Sequence, residues 1–276
     1  MVKNILIAGV NSYIGESFKI FLKQYQDEYI VREIDTKGLI PAAGMFKGTD
    51  IVFCVAGIAH IKETSKNRNL YFEVNCDLVV SIARAAKKAG VKQFILLSSM
   101  SVYGLKTGHI RKNTKPHPAN SYGKSKLQAD KEIRKLENNN FKFVCLRTPM
   151  VYGHNCRGNY QILRKFALKS PVFPNYVNQR SMIFIGNLCE FIKECIDYER
   201  QGIFFPQNTE YVSTSRMVEL IAQAHGKKIK MIRIFNWLLK AVPIGIVKKV
   251  FGNLTYEAVD MVGKYGFEES IKLTEE

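Results

Sequence analysis

Short unbroken apolar runs alternate with longer stretches of helical period through the first half of the chain. Ile5, Leu6, Ile7 and Ala8 form such a run, closed by Gly9. It is too short for a helix and suits a parallel strand buried on both faces. Beyond it Ile14, Phe18, Phe21, Leu22 and Tyr25 recur at helical spacing, with Glu16, Lys19, Lys23 and Gln24 on the opposite face. Tyr29–Ile34 and Asp50–Ala56 read as the second and third strands. A long helix follows over Phe72–Lys88, with Val74, Leu78, Ile82 and Ala85 on one face, and Gly90 ends it. Asn75 lies inside that helix; on a buried face its amide needs partners, and tying down a neighbouring strand supplies them. Val91–Ser98 is the fourth strand. Strand and helix in alternation predict an α/β, doubly wound parallel sheet of Rossmann type.

The second half is predicted more coarsely. A helix over Asn159–Leu168 precedes an irregular basic and aromatic segment bracketed by Pro171 and Pro174. A short strand, Arg180–Ile185, an amphipathic helix, Leu188–Tyr198, and another short strand, Gly202–Pro206, come next. Ser213 and Thr214 open a further helix to His225 by capping chemistry. Phe235–Phe251 is apolar with interspersed lysines and interrupted by Pro243. It reads as a packed piece of the second domain, with contact to a membrane face as the alternative. The division expected is residues 1–150 as a dinucleotide-binding domain and 151–276 as a smaller α/β substrate-binding region, the chain crossing back between them.

At 276 residues and 46% hydrophobic content the chain can bury a sizeable core as a soluble globular protein. No leader or membrane-length apolar run stands out, so the cytoplasm is the expected compartment. Cys54, Cys76, Cys145, Cys156, Cys189 and Cys195 are scattered, several within apolar runs, and read as buried thiols with neither a disulfide frame nor a metal site. The formal net charge of +17 favours anionic partners, but the lysines read as dispersed and lack the aromatic interleaving of a nucleic-acid surface, so no nucleic-acid partner is expected.

The candidate chemistry starts at the first strand's end. Gly9 and Gly15 bracket a G-x-x-S-x-x-G turn leading into a helix, the arrangement that offers backbone N–H groups and a helix dipole to a dinucleotide pyrophosphate. Ser12 stands where a glycine is often found, and its small hydroxyl is suited to donate to a phosphate. Asp35 follows the second strand about 20 residues beyond the turn, where a carboxylate meets ribose hydroxyls, while Lys37 suits a 2′-phosphate. The balance favours NAD(H), with NADP(H) open. Ser98, Ser99 and Ser101 emerge at the carboxyl end of the fourth strand. Tyr122 and Lys126, four apart in SYGKSK, share a helix face. An ammonium there favours the phenolate and lowers a tyrosine pKa of about 10, allowing proton exchange with a carbinol or carbonyl oxygen that a serine also holds.

These motifs, in this order, resemble the extended short-chain dehydrogenase/reductases, the NAD-dependent epimerase/dehydratase family, over nearly the whole chain. GVNSYIG looks like the family's cofactor turn, which places Gly9, Asn11, Ser12, Tyr13, Ile14 and Gly15 against the cofactor. CVAG resembles the nicotinamide-side motif and adds Ala56 and Gly57; FEVNCDL places Asn75 at the family's structural asparagine. ILLSSMSVYG and SYGKSK resemble the catalytic motifs, which implies Ser99, Tyr122 and Lys126 as the catalytic set, with Tyr122 and Lys126 also against the cofactor and Lys126 holding the nicotinamide ribose. LRTPMVYG resembles the R-P-x-x-x-Y-G stretch and brings Pro149 to the cofactor, with Met150 where asparagine is common. For the substrate the resemblance implies Ser99, Ser101, Asn159 and Arg180, the arginine gripping a diphosphate.

Several segments, among them VKQFILLSSMSVYG, MVYGHNCRGNYQ and NQRSMIFI, are most similar to capsule and O-antigen reductases. The function implied is NAD(P)H-dependent reduction of the C4 keto group of a UDP-4-keto-6-deoxy-N-acetylhexosamine. Its products are UDP-N-acetyl-fucosamine or UDP-N-acetyl-quinovosamine for surface polysaccharide. A UDP-hexose or UDP-N-acetylhexosamine 4-epimerase is the alternative, and a non-catalytic nucleotide sensor the second. Met100 and Ser101 after Ser99 supply no carboxylate, which argues against dehydration. The partners implied are a UDP-linked amino sugar and, as protein partner, a second copy in a homodimer.

Overall fold

The computed structural model describes residues 2–59, 61, 63–233, 236 and 250–276. It divides into two compact units. The first comprises Met1–Gly104, Lys115–Thr148 and Cys189–Phe204; the second comprises Leu105–Thr114, Pro149–Leu188 and Phe205–Glu276.

The first unit is built on six strands: β1 (Lys3–Ala8), β2 (Tyr29–Ile34), β3 (Ile51–Cys54), β4 (Gln93–Ser99), β5 (Lys142–Thr148) and β6 (Gly202–Phe204). Their order across the sheet is β6-β5-β4-β3-β1-β2, and every neighbour pair is parallel. Order reverses after β1 about the first crossover, the topology of a doubly wound Rossmann-type sheet. Because helices cover both faces, the central strands are apolar without alternation: Ile5 to Ala8 and Ile51 to Cys54 are all buried. The late strand β6 joins the sheet beside β5, and the Gln93 amide anchors its approach by donating to the carbonyls of Cys195 (2.8 Å) and Arg200 (2.9 Å).

Helix α1 (Tyr13–Leu22) stops earlier than the apolar period suggests, passing into a single tight turn over Lys23–Tyr25. Phe18 and Leu22 are buried, while Phe21 and Tyr25 are half-buried and meet each other ring to ring. The long helix begins at Arg68 as α2 (Arg68–Phe72), widens into a π-turn over Glu73–Leu78, and continues as α3 (Val79–Lys88). The π-turn rotates the later face, so Val79, Val80, Ile82, Ala83 and Ala86 fill the core and Val74 and Leu78 are only half-buried. Helix α4 (Ser121–Arg134) follows β4 in the same unit.

The second unit carries α5 (Asn159–Lys169), the start of α6 (Ile185–Asp197), α7 (Thr214–Ala224) and α8 (Phe267–Glu275), with four short parallel strand pairs. Three sequence expectations change here. The segment between Pro171 and Pro174 is regular: Val172–Pro174 pairs in parallel with Lys230–Ile232. The Ser213 side chain makes no capping bond to α7; instead the Asn178 amide oxygen accepts from the Thr214 N–H at 2.9 Å. An amide reaching in from another segment replaces the local cap, which sequence adjacency cannot reveal. The strand expected over Arg180–Ile185 spans Met182–Phe184. Most of Phe235–Phe251 lies outside the described residues.

Candidate active site

The turn after β1 has the shape that a pyrophosphate requires. Gly9 adopts φ +121°, and a Cβ there would lie 3.0 Å from the Ala56 nitrogen, so only glycine lets the turn pass this close to the end of β3. Asn11 is left-handed at φ 57°, and Ser12 then caps α1: its Oγ accepts from the Gly15 N–H at 3.4 Å. Accepting leaves the hydroxyl hydrogen of Ser12 available to an anion. Tyr13 and Ile14 open the helix, and first-turn N–H groups have no partner within a helix. These residues fit a dinucleotide. Asp35, one residue beyond β2, is exposed; its carboxylate accepts from the Lys37 N–H at 2.9 Å, which fixes its direction.

At the carboxyl end of β4, Ser99 caps a short turn over Met100–Tyr103, its Oγ accepting from the Ser101 N–H and donating to the Ser101 Oγ, both at 3.1 Å. Helix α4 arrives at this turn through Gly123, where a Cβ would stand 2.5 Å from the Ser101 carbonyl. That contact sets Tyr122, the residue before Gly123, beside the turn that Ser99 opens. Burial raises the Tyr122 pKa above its ordinary value; the Ser99 hydrogen bond opposes the shift and the neighbouring Tyr71 adds to it. The Tyr71 ring stands edge-on to Tyr122 at 6.4 Å.

Lys126 departs from the sequence expectation. Its ammonium donates to the carbonyls of Leu97 (3.1 Å) and Ala56 (3.5 Å), and burial lowers its pKa. The Tyr122 pKa shifts upward, against the lowering expected from the spacing. The i, i+4 spacing does set both residues on one helix face, but a four-carbon stem delivers the charge to the Leu97 and Ala56 carbonyls near the strand ends. Lys126 therefore binds α4 to the ends of β3 and β4.

The residues around this constellation hold it in place. Asn75, fully buried by the π-turn, accepts from the Ile58 N–H (2.7 Å) and donates to the Ile58 carbonyl (3.1 Å) and Ser125 Oγ (3.3 Å). It thus links the stretch after Gly57 to α4. Asn120 caps α4 through the Gly123 N–H at 2.9 Å, and Glu63 accepts from the Ser121 N–H (3.0 Å) and Oγ (2.8 Å) at the same helix end. One turn past Lys126, Asp130 accepts from Nε and Nη2 of Arg147 on β5, at 3.1 and 2.5 Å, while Nη1 donates to the Tyr103 hydroxyl at 2.7 Å. Glu63, Tyr71, Asn120, Asp130 and Arg147 were not singled out from the sequence. Only Asp130 left a trace, lying at eight and four residues from Tyr122 and Lys126 on their helix face.

The remaining predicted residues lie in the second unit, each described within it. Pro149 is buried. Asn159 is the exposed first residue of α5. Arg180 is half-buried: its backbone bridges Val212 and Leu254, and Nη1 donates to the Gly252 carbonyl at 2.9 Å. Burial lowers its pKa. All six cysteines are free and buried, and among the described residues no cluster of His, Cys, Asp and Glu could hold a metal ion. No helix among the described residues is long and apolar enough to cross a membrane.

Comparison with known proteins agrees with this geometry. The chain is 29% identical over 279 residues to a UDP-glucose 4-epimerase of Vibrio cholerae, covering 91% of this chain and 83% of that protein. It is 27% identical to an N-acetyl-alpha-D-glucosaminyl-diphospho-ditrans,octacis-undecaprenol 4-epimerase of Escherichia coli O157:H7, covering 83% of this chain and 74% of the relative. The fold is shared with a dTDP-4-dehydrorhamnose reductase of Clostridium acetobutylicum at a TM-score of 0.77 and 18% identity, over 98% of both chains. The model of the NAD dependent epimerase/dehydratase family matches residues 5–198. The chain belongs to that family, and it is an NAD(P)-dependent enzyme acting on nucleotide sugars.

Proposed function

We propose that the chain is a C4 epimerase of a UDP-linked hexose or N-acetylhexosamine, using NAD(H). The observation that carries the reading is the close packing of the first turn of α4, which bears Tyr122, on the turn that Ser99 opens at the end of β4, with the Lys126 ammonium fixed one helical turn on. In this reading Ser99 holds the C4 oxygen and Tyr122 moves its proton. Burial keeps Tyr122 protonated, which equips it to protonate a C4 oxygen as an acid. As a base it works through the phenolate, and the Ser99 hydrogen bond is the contact that favours that form. A bound dinucleotide supplies the acceptor and donor of the C4 hydride. Arg180 and Asn159 are the candidates for gripping the diphosphate and the sugar. The two curated relatives described above, both 4-epimerases by name, support the choice of reaction.

Net reduction of a UDP-4-keto-6-deoxy-N-acetylhexosamine is the second reading, favoured by the resemblance of the β4 and Arg180 segments to capsule reductases. It uses the same three residues. An epimerase returns the hydride to the other face of the same sugar and runs without net cofactor consumption; a reductase releases oxidised cofactor at every turnover. Incubation with UDP-glucose and with UDP-N-acetylglucosamine, followed by NMR of the sugars, is the test. Interconversion with the galacto epimer and no loss of reduced-nicotinamide absorbance is expected. Stoichiometric NAD(P)H loss on the 4-keto sugar, with no interconversion, would overturn the epimerase reading in favour of the reductase.

A further inference from the structure

The basic charge is not dispersed. Residues 138–189 and 220–256 contain no aspartate or glutamate, and each stretch carries 7 lysines and arginines, together 14 of the net +17. Lys142 and Arg147 belong to the first unit, where they pair with Glu199 and Asp130; the other cations of both stretches fall in the second unit, which joins the two. Val172–Pro174 pairs with Lys230–Ile232, with Val172 opposite Lys230, and the Lys227 ammonium donates to the Leu168 carbonyl at the end of α5 at 2.6 Å.

Helix α5 buries Tyr160, Leu163 and Ala167 and turns Ile162, Lys165, Phe166 and Lys169 outward. Ile162 is 52% exposed, Phe166 51% and Val172 40%. Large apolar side chains therefore stand on the outer face of the helix and its adjoining strand among lysines that form no ion pair with the described residues, where an ordinary surface helix places polar residues. The neighbouring Arg164 and His225 are not part of this face, because both are engaged by the buried carboxylate of Glu275.

We propose that Ile162, Lys165, Phe166, Lys169, Val172 and Lys230 form a docking surface for an anionic lipid bilayer. Apolar groups enter the headgroup boundary while the lysines meet lipid phosphates, the combination by which an interfacial element binds. The chemistry favours lipid over nucleic acid. Isoleucine and valine offer no ring on which a base can stack, the single ring, Phe166, already packs against Phe173 at 6.1 Å, and the cations of this surface are lysines, without the guanidinium forks that read bases and phosphates in two bonds. The proposal is independent of the reaction at C4.

Sedimentation with phosphatidylcholine vesicles, with and without phosphatidylglycerol, tests it. Binding is expected only to the anionic vesicles and declines with salt. Each lysine near such a surface contributes about fivefold in partition, so Lys165→Gln with Lys169→Gln should weaken binding about 30-fold. Phe166→Ser should weaken it about tenfold through lost apolar insertion. Both sites are solvent-facing, and circular dichroism melting checks that the variants fold. Equal binding to both vesicle types, unchanged binding by the lysine variant, or binding to duplex DNA in place of vesicles would each overturn the proposal.

Discussion

Asp130→Ala is the substitution that most directly tests how the first unit holds its reactive helix. Asp130 on α4 and Arg147 on β5 have side chains only 2% and 7% exposed, joined by two hydrogen bonds to one carboxylate oxygen. Removing the carboxylate leaves a buried guanidinium with the Tyr103 hydroxyl as its remaining named side-chain partner. Breaking a buried pair on one side costs about 3–5 kcal/mol, because the stranded charge keeps its full desolvation penalty. At about 2–4 °C per kcal/mol for a domain of this size, the melting temperature should fall by about 10 °C.

The reasoning makes a second demand. If the stranded charge is the cause, removing it as well should restore stability, since a buried pair is often worth no more than apolar residues of equal volume. Asp130→Leu with Arg147→Met should therefore melt within a few degrees of the parent. Urea unfolding of the parent, both single variants and the double variant gives the coupling energy directly. A loss below about 1 kcal/mol for Asp130→Ala, or a double variant no more stable than the single one, would refute the argument.

Four further outcomes follow from the site. Tyr122→Phe should lower turnover by about a hundredfold or more while fluorescence titration shows NAD(H) still bound, since only the proton carrier is lost. Calorimetric titration should find NAD(H) at least as tight as NADP(H), because the Asp35 carboxylate, oriented by the Lys37 N–H, repels a 2′-phosphate. Arg180→Ala should raise KM for the nucleotide sugar far more than it alters kcat, the signature of a lost contact to a part of the substrate that does not react. Burial raises the Glu275 pKa, but hydrogen bonds from Tyr160, His225 and Arg164 outweigh it and hold the carboxyl below its ordinary value. Its stabilisation is therefore full above about pH 4.3 and lost as pH falls through the lower folded value; melting against pH should show this fall, and Glu275→Gln should flatten it.

The parts of this protein legible in sequence are those whose physics is local. A strand buried on both faces writes itself as an unbroken apolar run, as Ile5, Leu6, Ile7 and Ala8 do in β1, and the mixed edge strand Tyr29–Ile34 also appears with the bounds its pattern implied. The glycine turn was legible because backbone conformation restricts residue type at Gly9. Side chains with long-range partners were not. Nothing around Asn178 marks it as the acceptor for the first turn of α7, and nothing near Arg147 announces Asp130, 17 residues earlier.

The same distinction explains the two readings that changed most, Lys126 and the distribution of charge. Periodicity fixes which side of a helix a residue occupies, and it set Tyr122 and Lys126 correctly on one face of α4. It carries no information on where a flexible stem ends. The terminus of Lys126 is decided by the carbonyls that β3 and β4 leave at their ends, which exist only once the sheet has formed. Charge behaves likewise. Along the chain the lysines of residues 165–169 and 227–230 are separated by about 60 positions and look unrelated. Pairing Val172–Pro174 with Lys230–Ile232 makes them neighbours, and what reads as scattered charge becomes a basic, partly apolar face.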